Sequence, residues 1–185
     1  MDEKLLFLSA FLEKPREIGS VIPSSRFLIE KMLKSIDFKA ARCIVEYGPG
    51  TGIITKAILK KANKDCKILC FEINKKLAAY LQKNINDNRL VVINDSAENI
   101  KEHLKRLGIK KTDYVISGLP FSTLHARKKN IIIKETKDSL NSEGKFVVYQ
   151  FLSSLKKHLY NSFSRITTSF IPLNIPPCFV YVCEK

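Results

Sequence analysis

From about residue 43 to residue 161, short apolar runs alternate with stretches whose apolar residues recur every three or four positions. The runs 43–47, 67–71, 90–93, 114–116 and 145–151 have strand length and are bounded by turn formers. Between and after them, residues 53–63, 74–86, 97–107, 126–140 and 153–161 read as helices, the 126–140 stretch with little amphipathic clarity. Upstream, Ser24 or Ser25 can cap a helix whose Ile29, Met32, Leu33 and Ile36 keep the helical period. Residues 3–14 spell a further short helix, apolar on most of its surface, that Pro15 ends. The tail adds strand-like runs near 163–171 and 178–183, joined only by a stretch containing Pro172, Pro176 and Pro177. Alternating strands and helices predict an α/β fold in three layers, a mainly parallel sheet covered on both faces. The two late strands predict an antiparallel hairpin at one edge. The whole chain, 1–185, reads as one domain, with 1–37 a helical lid region able to touch a membrane.

Charge changes this picture. Thirty-two Lys and Arg against eighteen Asp and Glu give a formal net charge of +14. Such an excess attracts polyanions, either nucleic acid or an anionic membrane surface, unless it is only surface decoration. The cysteines, Cys43, Cys66, Cys70, Cys178 and Cys183, are odd in number, form no CxxC pair and sit mostly in apolar runs. That argues against a disulfide framework or a zinc site and for a reducing cytosol. The apolar run 5–12 is too short for a bilayer span, which takes about 20 residues. It also lacks the basic flank and cleavage site of a secretion signal. The expected place is the cytoplasm, at most peripheral on the inner membrane face. His103, His125 and His158 show no metal spacing; His103 and His158 read as surface residues, and His125 lies near the fourth motif below.

Four segments carry candidate chemistry, each at the end of a predicted strand. Glu46-Tyr47-Gly48-Pro49-Gly50-Thr51-Gly52 lies between a strand and a helix. Its alternating glycines let the backbone turn tightly and approach a ligand, and the helix start behind it offers unpaired N–H groups. The spacing is G-x-G-x-G rather than the dinucleotide G-x-G-x-x-G. Glu72, followed by Ile73, ends the second strand about 20 residues on, where a carboxylate can accept from ribose hydroxyls. Asp95-Ser96-Ala97 ends the third, where Asp95 can accept from an adenine amine, or Asp95 or Ser96 can cap the next helix. Ser117-Gly118-Leu119-Pro120-Phe121 ends the fourth. Carbonyls around its proline turn can hold an amine, and Phe121 can favour a cationic transition state or be a buried core ring. Tyr149 ends the fifth strand and is a weaker candidate for the same site.

The glycine segment resembles motif I of class I AdoMet-dependent methyltransferases, and a parallel sheet ending in an antiparallel strand is the Rossmann-like shape of that class. Together with Ser117–Phe121, the segment from Phe11 to Ser25 containing Gly19-Ser20-Val21-Ile22-Pro23-Ser24-Ser25, and Asn174-Ile175-Pro176-Pro177, it is similar to the bacterial soluble phospholipid N-methyltransferases that act on phosphatidylethanolamine. The resemblance runs from about residue 7 to the end. It implies S-adenosyl-L-methionine as cofactor, held by Ser20, Ile22, Glu46, Gly48, Pro49, Gly50, Thr51, Gly52, Glu72, Ile73, Asp95, Ser96, Ala97, Ser117 and Gly118. It implies Leu119, Pro120 and Phe121, with Tyr149, on the acceptor side, no metal, and an amino-phospholipid in an anionic membrane as partner. The ribosomal RNA adenine dimethyltransferases are the alternative, with RNA as partner. Against them stand Ser117 and Gly118 in place of an Asn-x-Pro-Phe/Tyr motif and the lack of a helical C-terminal stretch after the hairpin. A non-catalytic, basic AdoMet-binding adaptor is the third reading.

Overall fold

The computed structural model describes residues 25–185; Ser20, Ile22 and the predicted helix 3–14 lie outside the described residues. Seven strands form one sheet: β1 (Cys43–Tyr47), β2 (Lys67–Phe71), β3 (Leu90–Ile93), β4 (Thr112–Ser117), β5 (Leu140–Gln150), β6 (Arg165–Ile171) and β7 (Cys178–Glu184). Their spatial order is β3-β2-β1-β4-β5-β7-β6. The first five run parallel, and β7 is antiparallel to both β5 and β6. The expected hairpin is therefore at the edge, with its antiparallel strand one position inside it. All of β1 is buried, as a central parallel strand must be when both faces are covered.

Among the described residues six α-helices cover the sheet: α1 (Arg26–Leu33), α2 (Ile53–Lys61), α3 (Lys75–Asn84), α4 (Ile100–Arg106), α5 (Ala126–Ser139) and α6 (Lys156–Tyr160). Alternate strand residues feed two cores. Ile44, Ile68, Ile116, Val147 and Val180 meet α1 and α2 through Leu28, Met32, Ile54 and Ile58. Val45, Leu69, Val115, Phe146 and Val148 meet α4, α5 and α6 through Ile100, Leu104, Ile132, Ile133 and Leu159. Ser25 caps α1, its hydroxyl accepting from Leu28 N at 3.3 Å, and Asn74 caps α3 by accepting from Lys76 N and Leu77 N. Two predicted helices begin differently: 97–107 opens with a 3-10 turn at Ala97–Asn99, and 153–161 with one at Ser153–Leu155.

β5 starts five residues earlier than its apolar run implies, directly at the end of α5. Leu140 pairs with Thr112, and the register then shifts before Tyr114 pairs with Lys145. This irregularity lets the polar stretch Asn141–Glu143 run along the sheet without a period-2 pattern. Among the described residues no helix is long and apolar enough to cross a membrane.

Candidate active site

Parallel strands bring their carboxyl ends to one edge, so the four candidate segments converge there. The turn after β1 is built from three glycines in the left-handed region, Gly48 (φ 66°), Gly50 (φ 57°) and Gly52 (φ 84°). Gly48 N donates to Phe71 O at 2.9 Å, and Gly118 N donates to Tyr47 O at 2.9 Å, lacing the turn to its neighbours on both sides. A Cβ at Gly48 would lie 3.2 Å from Leu119 Cδ2, and one at Gly118 would lie 3.2 Å from the Gly48 carbonyl. The β1 and β4 turns thus meet backbone to backbone and leave a floor without side chains.

Glu46 and Glu72 flank this floor in opposite ways. The Glu46 carboxylate points to the α2 side and is 1 % exposed; its Oε2 accepts from Thr55 Oγ1 at 2.6 Å and from Cys70 Sγ at 3.4 Å. It holds the start of α2 beneath the glycine turn. Burial pushes this carboxyl up to about 7, against the hydrogen bonds from Thr55 and Cys70, with the Glu72 charge adding to the rise. Folded, it keeps a proton that the unfolded chain gives up near 4.5. Stability therefore falls as pH rises through the window between those values. Between pH 5 and pH 8 the expected loss from this group is on the order of 2–3 kcal/mol. Glu46→Gln should flatten that dependence in denaturant unfolding.

Glu72 is also buried, but beside the turn. Its Oε2 accepts from Gly50 N at 3.2 Å and its Oε1 from Asn74 N at 2.9 Å. A carboxylate offers about four acceptor sites, two on each oxygen. Ile73 follows, 41 % exposed, an aliphatic wall on the open side of the turn. Asn94, which opens the third segment just before Asp95, donates through Nδ2 to the carbonyls of Glu72 (2.7 Å) and Ile73 (3.2 Å) and fixes the β2 and β3 ends together.

Of the two expectations for this segment, the structure shows the capping one, with Ser96 as the cap. Ser96 caps the 3-10 turn by accepting from Glu98 N, while Asp95 Oδ1 accepts from Ser96 N at 2.7 Å. Asp95 Oδ2 meets His103 Nε2 at 2.8 Å, and Asn99 Nδ2 lies 3.0 Å from each Asp95 oxygen. His103, then the Asn99 and Ser96 donors, hold this carboxyl below its ordinary range. His103 corrects the sequence reading. Its side chain is only 16 % exposed, and its ring packs edge-on to Phe71 at 5.4 Å. It lies on the inner face of α4 with Ile100, Leu104 and Leu107, a helical spacing that could have revealed it.

The acceptor side departs further from expectation. Phe121 is fully buried in the core against Phe146, so its ring is a packing element and lines no open site. Leu119 O accepts from Phe121 N at 2.9 Å and from Gln150 Nε2 at 2.8 Å. Pro120 O accepts from Thr123 N and Thr123 Oγ1. Each carbonyl has two lone pairs, and both are taken. The expectation that these two carbonyls hold the acceptor amine is thereby corrected: they shape the turn. Ser117 is buried and its hydroxyl accepts from Leu119 N at 3.2 Å. Tyr149 stands beside the floor, its Cε1 3.6 Å from where a Gly118 Cβ would be. His125 is exposed at the start of α5 without a capping bond.

Gln150, missed in the sequence, is buried and also donates to Tyr149 O, so one amide fixes both acceptor-side elements. Gln150→Ala should lower kcat about tenfold through misplacement of the acceptor turn. AdoMet affinity should stay within about twofold, because Gln150 is remote from the Glu72 side. Steady-state kinetics with parallel titration calorimetry separates the two.

A sheet of this order, with a left-handed glycine turn after β1 and carboxylates at the ends of β2 and β3, defines a class I AdoMet-dependent methyltransferase. The left-handed glycine turn and the Glu72 carboxylate beside it fit the cofactor's amino-acid and ribose portions. The chain belongs to the methyltransferase small domain family, which it matches over residues 19–170. It is 29% identical over 186 residues to an ornithine lipid N-methyltransferase of Singulisphaera acidiphila, covering 100% of this chain and 97% of that protein. It is 30% identical over 113 residues to ribosomal RNA small subunit methyltransferase A of Mesomycoplasma hyopneumoniae, covering 60% of this chain but only 40% of that protein. Among solved structures, the N-methyltransferase NodS of Bradyrhizobium japonicum, in complex with S-adenosyl-L-homocysteine, superposes with a TM-score of 0.72. It is 10% identical and covers 95% of this chain and 98% of that one, a likeness of fold. The protein is an AdoMet-dependent methyltransferase. Among the described residues no His, Cys, Asp and Glu cluster could hold a metal.

Proposed function

We propose that this enzyme N-methylates the amine headgroup of a membrane lipid, with phosphatidylethanolamine and ornithine lipid as the candidate acceptors. The observation that carries this reading is the near full-length likeness to an ornithine lipid N-methyltransferase. The ribosomal RNA enzyme is matched over less than half its length. The acceptor turn agrees: Gly118 stands where the Asn-x-Pro-Phe/Tyr motif of an RNA adenine enzyme would place its Asn.

Bound AdoMet supplies an electrophilic methyl group on a sulfonium centre. The chain's part is placement. Glu72 and Asp95 would hold the ribose and adenine, the glycine turn the amino-acid end, and the Gly118–Tyr149 wall the incoming amine. The acceptor segment 118–134 contains no Asp or Glu. It offers no carboxylate to stabilise an ammonium, so the amine meets the site as the neutral base, having shed its proton to solvent. A free alkylamine loses that proton near ~10. The rate of the chemical step should therefore rise with pH up to the acceptor's pKa in the complex; a flat single-turnover profile contradicts this.

Vesicles containing either amino lipid in an anionic background, incubated with enzyme and AdoMet, test the proposal by mass spectrometry of the extracted lipid. N-methylated headgroups in either preparation support it. Unmodified lipid in both, with calorimetric AdoMet binding intact, overturns it.

A further inference from the structure

Charge and apolarity are unevenly distributed around the carboxyl edge of the sheet. The ends of β1, β2 and β3 carry Glu46, Glu72, Asp95 and Glu98, the cofactor side. On the other half, the segments that follow β4 and β5 carry no acid: no Asp or Glu occurs in 118–134 or in 144–183. That half carries Arg127 and Lys129 at the start of α5 and Lys156 and Lys157 at the start of α6, and none of these four pairs with a carboxylate among the described residues. Lys156 and Lys157, with Ser153, Ser154 and Tyr160, line a shallow surface depression just past the end of β5.

The same half exposes its apolar residues at loop tips. β6 runs in the direction of β5, so the β6–β7 loop, 172–177, emerges at the active-site edge. Asn174 at its centre is 3 % exposed; its Oδ1 accepts from Ser25 N at 3.1 Å and its Nδ2 donates to Pro176 O at 2.8 Å. With Asn174 pinned inward, its two neighbours face out, Leu173 62 % and Ile175 72 % exposed. Leu152, two residues past β5, is 61 % exposed on the same edge. A soluble protein has no internal reason to hold three large aliphatic side chains outward on a braced edge.

We infer that this edge is a membrane-docking face, in which Leu173, Ile175 and Leu152 enter the interfacial region of an anionic phospholipid bilayer while Lys156 and Lys157 meet lipid phosphates. The occupant is chosen by chemistry. Aliphatic tips beside unpaired lysines suit acyl chains and anionic headgroups. The outermost side chains are aliphatic and offer no face on which a base could stack, and the exposed Tyr160 ring beside the lysines suits a membrane interface. The inference rests on the lipid-amine reading for its purpose: docking by this edge presents the acceptor turn, two strands away, to a headgroup.

The test is co-sedimentation with phosphatidylglycerol-containing vesicles and with neutral phosphatidylcholine vesicles. Leu173→Asp combined with Ile175→Asp should weaken partitioning to the anionic vesicles at least about tenfold, as should Lys156→Glu combined with Lys157→Glu. AdoMet binding and melting temperature should be unchanged, since all four side chains are exposed. Partitioning unaltered by both double variants, or lost equally to competing RNA, overturns the docking face. Monomeric short-chain phosphatidylethanolamine and ornithine lipid separate this outcome from the other proposal. Loop variants that methylate a soluble acceptor at the wild-type rate, but vesicles slowly, support the docking face. A wild-type enzyme that partitions as described yet methylates neither lipid in any form overturns the lipid-amine reading alone.

Discussion

An AdoMet affinity about 100-fold below wild type is the expected result of Glu72→Ala. Hydrogen bonds to a charged group contribute about 1.5–3 kcal/mol each. The Glu72 carboxylate, which already accepts from Gly50 N and Asn74 N, would also accept from the ribose hydroxyls. Losing both costs roughly 3 kcal/mol after water and relaxation offset part of it, which is about two decades in Kd. The carboxylate also steadies the glycine turn through Gly50 N, so its loss loosens the cofactor's amino-acid end as well. Glu72→Gln keeps one acceptor oxygen and the volume and should weaken binding only about tenfold. Titration calorimetry reads both. An Ala variant that binds AdoMet as the wild type does would remove Glu72 from the cofactor site.

The largest effect on stability belongs to Gly52→Ala. Gly52 caps α2 at φ 84°, a conformation that costs a residue with a Cβ about 1–2 kcal/mol. A Cβ there would also stand 2.7 Å from Leu81 Cδ2 and 2.8 Å from Ile85 Cδ1, and Leu81 is fully buried. Forced repacking adds about 1–3 kcal/mol. The summed loss of about 2–4 kcal/mol lowers Tm by about 5–15 °C in a chain of this size. Gly108→Ala is the internal control: its φ is 68°, but nothing lies within 4 Å of the added methyl. Backbone strain alone then predicts about 1–2 kcal/mol. Equal losses at the two sites would mean that the α2–α3 contact yields without cost.

These two residues belong to the part of the site that is legible in the sequence, because the chemistry there is local. Alternating glycines after an apolar strand specify a turn, and a carboxylate ending the next strand specifies a neighbour of that turn. What was not legible depends on tertiary partners. His103 sits among lysines and glutamates, and only its place on the apolar face of α4 separates it from a surface histidine. Gln150 looks like the polar end of an apolar strand; that its amide closes on Leu119 O follows from β5 lying beside β4. Phe121 follows a proline turn of the kind that faces a site, yet the 3-10 turn Phe121–Thr123 rotates it into the core beside Phe146. The start of β5 was hidden because residues 141–144 fall in the register shift between the Leu140 and Lys145 pairs and carry no hydrophobic alternation.

The positive excess is spread along the chain, but the segments that follow β4 and β5 hold theirs without nearby acid: no Asp or Glu occurs in 118–134 or in 144–183. Charge of +14 is compatible with RNA or membrane. Lys156 and Lys157 share the catalytic edge with outward-facing Leu173 and Ile175, so the inferred docking face would set a bilayer on one side of that edge and the cofactor on the other.

The central claim is most directly tested by offering the enzyme methyl-labelled AdoMet, anionic vesicles containing an amino lipid, and unmethylated ribosomal RNA in one reaction, then separating the lipid and RNA phases. The account predicts label in the lipid phase, absent with Glu72→Ala. Label in the RNA and none in the lipid would contradict it and make the chain an RNA methyltransferase.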